Sequence, residues 1–102
     1  MKHFLIEIEY LVSVEALGDA ILKHRQFLQT GYELGRILLS GPRVPATGGV
    51  LIARALSLEE IEAFFEDDPY KILGLARHIF IEFNPVKHQD FLKGWVSGEP
   101  SP

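Results

Sequence analysis

The chain has 102 residues, of which 47% are hydrophobic and 24% charged, and it contains no cysteine. That is enough chain for one globular domain and too little for two. Ten Lys plus Arg against fourteen Asp plus Glu leave a formal net charge of -4. With no basic cluster this speaks against a phosphate-tracking surface, so nucleic acid is not expected as a partner. The missing cysteine excludes a disulfide framework, a thiolate nucleophile and Cys-ligated zinc. Glu7 and Glu9 interrupt the first apolar stretch, which leaves no signal-peptide core. No apolar run reaches the roughly 18 residues that a membrane span needs. The reading is a soluble cytoplasmic domain with no membrane contact.

Residues 3 to 11 alternate, with Phe4, Ile6, Ile8 and Tyr10 on one face and His3, Leu5, Glu7 and Glu9 on the other, the period of a half-buried strand. After Ser13 as N-cap, the residues Leu17, Ala20, Ile21, His24, Phe27, Leu28, Gly31 and Leu34 recur at spacings of three and four. They predict one amphipathic helix over 14 to 34, with Gly35 left-handed just past its end. Ile37-Leu38-Leu39 predicts a second strand, stopped by Gly41-Pro42. Pro42 to Gly49 holds too many breakers for a regular element and reads as a loop before a third strand at Val50 to Ala53.

Ser57-Leu58-Glu59-Glu60 is a capping box, and Leu56 is expected to staple onto Ile61. A second helix therefore starts at Leu58, and Pro69 stops it by about Asp67. Tyr70 to Leu75 reads as one irregular turn. Arg77 to Phe83 alternates as a last strand, ended by Asn84-Pro85. Lys87 to Trp95 is expected to form a short helix. The folded domain is expected to span residues 1–96, with 97–102 a disordered tail.

The order strand, helix, strand, strand, helix, strand predicts an α+β fold: a ferredoxin-like βαββαβ antiparallel sheet with both helices on one face. The other face is expected to carry Leu5, Phe80 and residues from 50 to 54 together with Glu7, Glu9, His78 and Glu82. It is too apolar for water and too polar for a sealed core, which predicts a homodimer with two sheets packed face to face.

His24 breaks the apolar stripe of the first helix. An imidazole there is either a core histidine bonded to the protein or a general acid or base oriented by a buried carboxylate. The candidate carboxylate is Asp68, which Pro69 forces toward extended geometry, while Asp67 beside it is expected to stay solvated because two adjacent buried carboxylates repel. Asp68 has a competing reading as a plain helix-terminating residue. Tyr70 can either donate to a ligand or simply pack. Ser40, Gly41 and Arg43 stand where a strand opens into a loop, with Arg43 a solvated arginine or a clamp for a carboxylate or enolate, and Arg54 has the same two readings. Gly48-Gly49 lacks the spacing of a phosphate loop. His3, His24, His78 and His88 form no His-x-x-x-His pair, so no metal is expected, and no cofactor either, since no histidine lies in a haem-ligating motif.

With His24-Arg25-Gln26-Phe27-Leu28, Gly35-Arg36-Ile37-Leu38-Leu39-Ser40-Gly41-Pro42, Phe65-Glu66-Asp67-Asp68-Pro69-Tyr70 and Ile81-Glu82-Phe83-Asn84-Pro85-Val86 in this order, the chain resembles the YCII-related (YciI-like) family. The resemblance spans nearly the whole chain. It implies a dimeric α/β barrel and a His-Asp dyad, which carries over to His24 and Asp68. Most members have no known function. A characterised relative dehydrochlorinates a hydroxylated aromatic, and the wider superfamily includes muconolactone isomerases.

Two expectations follow. One is an enzyme in which His24 and Asp68 move a proton on a small cyclic or aromatic acid, by isomerisation, lactone rearrangement or elimination of halide, with Ser40, Gly41, Arg43 and Tyr70 binding the substrate. The other is a non-catalytic dimeric module that binds a metabolite or a protein and uses the same pair as a structural hydrogen bond.

Overall fold

The computed structural model describes residues 1–100. It has the strands β1 (Lys2–Tyr10), β2 (Ile37–Pro42), β3 (Gly48–Ala55) and β4 (Ala76–Phe83) and the helices α1 (Ala20–Glu33), α2 (Leu58–Phe65), α3 (Pro69–Ile72) and α4 (Lys93–Ser97). The strands form one sheet in the order β2-β3-β1-β4, with every neighbouring pair antiparallel. This is the ferredoxin-like α+β arrangement that the element order predicts.

One face of β1 presents Phe4, Ile6 and Ile8, all buried, and the same core takes Leu28 from α1 and Ile61 and Phe65 from α2. Apolar side chains at alternate strand positions thus meet the apolar stripes of two helices, and that burial drives the two layers together.

The long first helix is interrupted. Val14–Leu17 forms a single 3-10 turn, and Gly18, at φ 56° and ψ -137°, turns the chain before α1 begins. Only glycine takes that conformation without strain, so the break is built into the sequence at a residue that a 3.6-residue period passes over. Gly35 is left-handed at φ 71°, as expected. Strands β2 and β3 run further toward each other than the breakers suggested, because Gly41 pairs with Val50 and Pro42 with Gly49. The Ser57 hydroxyl accepts from the Glu60 amide at 3.1 Å, but the Glu60 carboxylate reaches back to the Leu56 amide at 3.0 Å instead of that of Ser57. The expected staple does not form, since Leu56 is 70% exposed and Ile61 is buried without it.

The register on β4 corrects one expectation. Ile8 pairs with His78 and Ile6 with Phe80, so His78 and Phe80 share the helix-covered face with them. The open face instead carries Ile79 and Ile81 beside Glu7 and Leu5. In β4 both sets of alternate residues contain bulky apolar side chains, so alternation alone does not say which set faces the helices.

Part of the open face is covered by the C-terminal segment. The Trp95 ring lies 5.5 Å from that of His3, and the Arg54 guanidinium lies over it at 5.1 Å. Arg54 is buried and donates to the carbonyls of Gly35 and Trp95, both at 2.8 Å. It is neither a solvated arginine nor a ligand clamp but a tie between β3, the end of α1 and α4. Of the tail expected over 97–102, Ser97 closes α4 and the Glu99 amide donates to Gly94. Residues 101 and 102 lie outside the described residues. No described helix is long and apolar enough to cross a membrane.

Candidate active site

Three elements bring one carboxylate and two imidazoles together. On α1 the residues Ala20, His24, Leu28 and Gly31 form the buried stripe, so the helix itself turns His24 inward. Asp68 is the N-cap of α3, held at φ -64° and ψ 122°, and its side chain accepts from the Tyr70 amide. Pro69 at the first helical position needs no hydrogen bond there and has its φ already set for a helix. The third contributor is β4, which delivers His78.

Nδ1 of His24 lies 2.8 Å from Oδ1 of Asp68, and Nε2 of His78 lies 2.8 Å from Oδ2. The Tyr70 amide adds a third bond to Oδ1 at 3.0 Å. Asp68 is 0% exposed, whereas Asp67 is exposed. Burial by itself pushes the Asp68 carboxyl up, but the hydrogen bonds from His24 and His78, the charge of His24 and the Tyr70 amide outweigh it and bring the pKa down from 3.8 to about 2. An ionised carboxylate only accepts, so both nitrogens that face it carry the hydrogen. In neutral His24 the lone pair therefore sits on Nε2, which has no partner among the described residues.

The ring of Tyr70 lies flat on His24, with centroids 4.0 Å apart and planes 9° apart. Burial and the neighbouring Tyr10 push the Tyr70 hydroxyl up to about 12, so it stays protonated at neutral pH. Beside these rings opens a cavity of about 280 Å³ lined by His24, Arg25, Ser40, Gly41, Tyr10 and Tyr70, with mostly aliphatic residues completing the wall. The size suits a single-ring molecule, and the mix of an apolar wall with a few polar groups is that of small-molecule sites.

The structure brings His24, Asp68, Tyr70, Ser40 and Gly41 to one place. Ser40 shares a 2.6 Å hydrogen bond with the Tyr32 hydroxyl. Arg43 stands elsewhere: its guanidinium is 3.4 Å from the Glu7 carboxylate and it does not line the cavity. The cation at the cavity wall is Arg25, whose only sequence signal is its place next to His24. His78 gave no signal, because the strand pattern assigned it to the opposite face. The two histidines meet different oxygens of Asp68, so their nitrogens do not converge on one point. Among the described residues no group of three or more His, Asp or Glu is placed to hold a metal ion.

Comparison with known proteins bears on the family and the fold. The YCII-related domain profile matches residues 1–84. A solved structure, 5-chloro-2-hydroxyhydroquinone dehydrochlorinase (TftG) from Burkholderia phenoliruptrix AC1100 in complex with 2,5-dihydroxybenzoquinone, is 26% identical. The similarity covers 87% of this chain and 97% of that one, with a TM-score of 0.69. A search of curated proteins found no match. With a family profile spanning most of its length and a fold shared with the dehydrochlorinase, the chain belongs to the YCII-related family.

Proposed function

We propose that this protein is a small-molecule enzyme in which His24, oriented by Asp68, is the general acid and base for a small cyclic or aromatic acid bound in the adjoining cavity. The observation that carries this reading is the division of labour on one imidazole. Nδ1 is committed to a fully buried carboxylate, while the ring lines the cavity with Nε2 unengaged. That arrangement fixes the tautomer and stabilises the imidazolium formed when Nε2 takes a proton. Nε2 is thus open to whatever occupies the cavity, unlike the sealed, unpartnered Nε2 of His3.

In an elimination, Nε2 takes a proton from the substrate, the electrons of that bond form a double bond, and halide leaves with its bonding pair. In an isomerisation the same nitrogen returns the proton at another carbon. Where the proton leaves a position conjugated to a carbonyl, negative charge develops on that oxygen before the proton returns or halide departs, and Arg25, the Ser40 hydroxyl and the backbone at Gly41 are the groups at the cavity wall that would receive it. Arg25 thereby takes the part expected of Arg43. The dehydrochlorinase, crystallised with a dihydroxybenzoquinone, supports a hydroxylated ring as the ligand class. The same reading includes a homodimer through the open sheet face.

Turnover of a panel of chlorinated hydroquinones and unsaturated lactone acids, by wild type and His24→Gln, tests this. The substitution is expected to lower the rate on any active substrate by about 10²- to 10⁴-fold with the fold retained. Turnover equal to wild type would refute the assignment, and a collapse in melting temperature with no ligand binding by wild type would favour the structural pair instead.

A further inference from the structure

The enzymatic reading needs a base with a set proton affinity, and the site contains a second imidazole that this reading does not use. His78 does not line the cavity. Its side chain is only 3% exposed, and it is held between Phe65 of α2, with ring centroids 5.1 Å apart, and Phe80, its neighbour on β4, at 6.2 Å. A histidine sealed among aromatic rings, with one nitrogen on the carboxylate that orients the catalytic candidate, is coupled to that candidate whatever else it does.

We propose that His78 is a positioning residue for His24: its Nε2–H holds Oδ2 of Asp68 so that Oδ1 stays on His24, and its charge state sets how strongly His24 binds a proton. The orienting half follows from geometry. A carboxylate rotates about its own bond unless both oxygens are held, and here Oδ1 receives His24 and the Tyr70 amide while Oδ2 receives His78 alone. Without His78, Oδ2 would be a buried acceptor with no partner among these groups, and the carboxylate could turn away from His24.

The second half follows from charge. Asp68 supplies one negative charge to two imidazoles. The first proton, on either ring, makes a neutral pair with it. A second proton would place another cation against a pair already neutral, in a site with little water. Such protons bind in two steps that belong to the cluster and not to either ring.

The other groups around the cluster leave this balance to the two histidines. On the His24 side stand Tyr70 from α3, Tyr10 from β1, edge-on to Tyr70, and Arg25 from α1. On the His78 side stand Phe65 and Phe80. Further out, Lys71 pairs with Glu66 at the surface, Asp67 is exposed, and Arg77 pairs with Glu9 on the open face. A proton on His78 would share the charge of Asp68 that otherwise faces His24 alone.

The test is an NMR titration of the histidine ring signals, without ligand, in wild type, His78→Gln and His78→Leu. Gln offers an amide hydrogen to Oδ2 but takes no proton. His78→Gln is expected to melt close to wild type, yet to give a pH response of the His24 ring signals that differs from wild type, because the second coupled proton site is gone. His78→Leu is expected to melt lower, since Oδ2 loses its donor. A merely structural His78 would be rescued by Gln in both respects, so a His24 curve in His78→Gln that superimposes on wild type overturns the proposal, whether or not the Leu variant folds. No substrate enters the measurement. Failure of every turnover assay would remove the enzymatic reading and leave this coupling standing, while turnover without coupling would remove only the role of His78.

Discussion

His24 and Tyr70 lie face to face, centroids 4.0 Å apart and 9° from parallel, although one belongs to a long helix and the other to the single turn that follows Asp68. The stack holds the face of the imidazole, while the Asp68 carboxylate holds its edge. Tyr70→Phe keeps the stacked ring, and Tyr70→Leu removes it. We expect the Phe variant to lose at most about 1 kcal/mol and the Leu variant about 1 to 3 kcal/mol in urea unfolding. The ring protons of His24 should keep their upfield ring-current shift in the first and lose it in the second. Equal His24 shifts in both variants would show that the stack does not persist in solution.

Asp68 makes the stability depend on pH in a defined direction. Its pKa is about 2 in the folded chain against 3.8 as the ordinary value. A carboxyl with a depressed folded pKa contributes stability above its unfolded pKa and loses it as pH falls through the folded one. The window is therefore pH 4 down to about 2, and the contribution above it is about 2 kcal/mol. Asp68→Asn should flatten this acid limb of the stability curve. It should also cost about 3 to 5 kcal/mol at neutral pH, because an amide cannot accept from both histidines. An acid limb as steep in the variant as in wild type would assign that pH dependence to other carboxylates.

Gly48 meets β1 where no side chain fits. A Cβ there would run into the backbone carbonyl of Ile8, which cannot move without disrupting the pairing of Glu9 with Gly48. Gly48→Ala is expected to destabilise by more than about 4 kcal/mol, read from denaturant unfolding. A loss below about 1 kcal/mol would mean that β1 and β3 sit further apart at this point in solution.

The proposed dimer rests on the open face, where Ile81 is 43% exposed beside half-buried Leu5, Ile52 and Ile79. Sedimentation equilibrium at high micromolar concentration should return twice the chain mass for wild type. Ile81→Asp should shift it toward the single chain, since a carboxylate facing an apolar interface is costly. A wild type that stays monomeric would reject this use of the face.

The parts of this architecture that were legible in the sequence are those in which a local pattern has one structural solution. Alternation in β1, the helical stripe through His24 and the capping residues at Ser57 and Gly35 each point to one geometry, and their order leads to the ferredoxin-like sheet. Asp68 was legible because the following proline restricts its backbone. His78 was not, because β4 offers Ile79 and Ile81 to one face and Phe80 to the other, and only the pairing of Ile8 with His78 decides between them. The break at Gly18 was hidden because a single glycine does not interrupt a three-four spacing. That Arg43 pairs with Glu7 while Arg25 lines the cavity was hidden for a similar reason: where a guanidinium points depends on the strand or helix face beneath it, and a position in a loop does not reveal that face.

The oxygen of Asp68 that caps α3 is also the one that receives His24. Opening of that turn consequently frees the same oxygen that positions His24. Hydrogen exchange at the Tyr70 amide therefore reports how often the turn that holds this oxygen opens, with no substrate present.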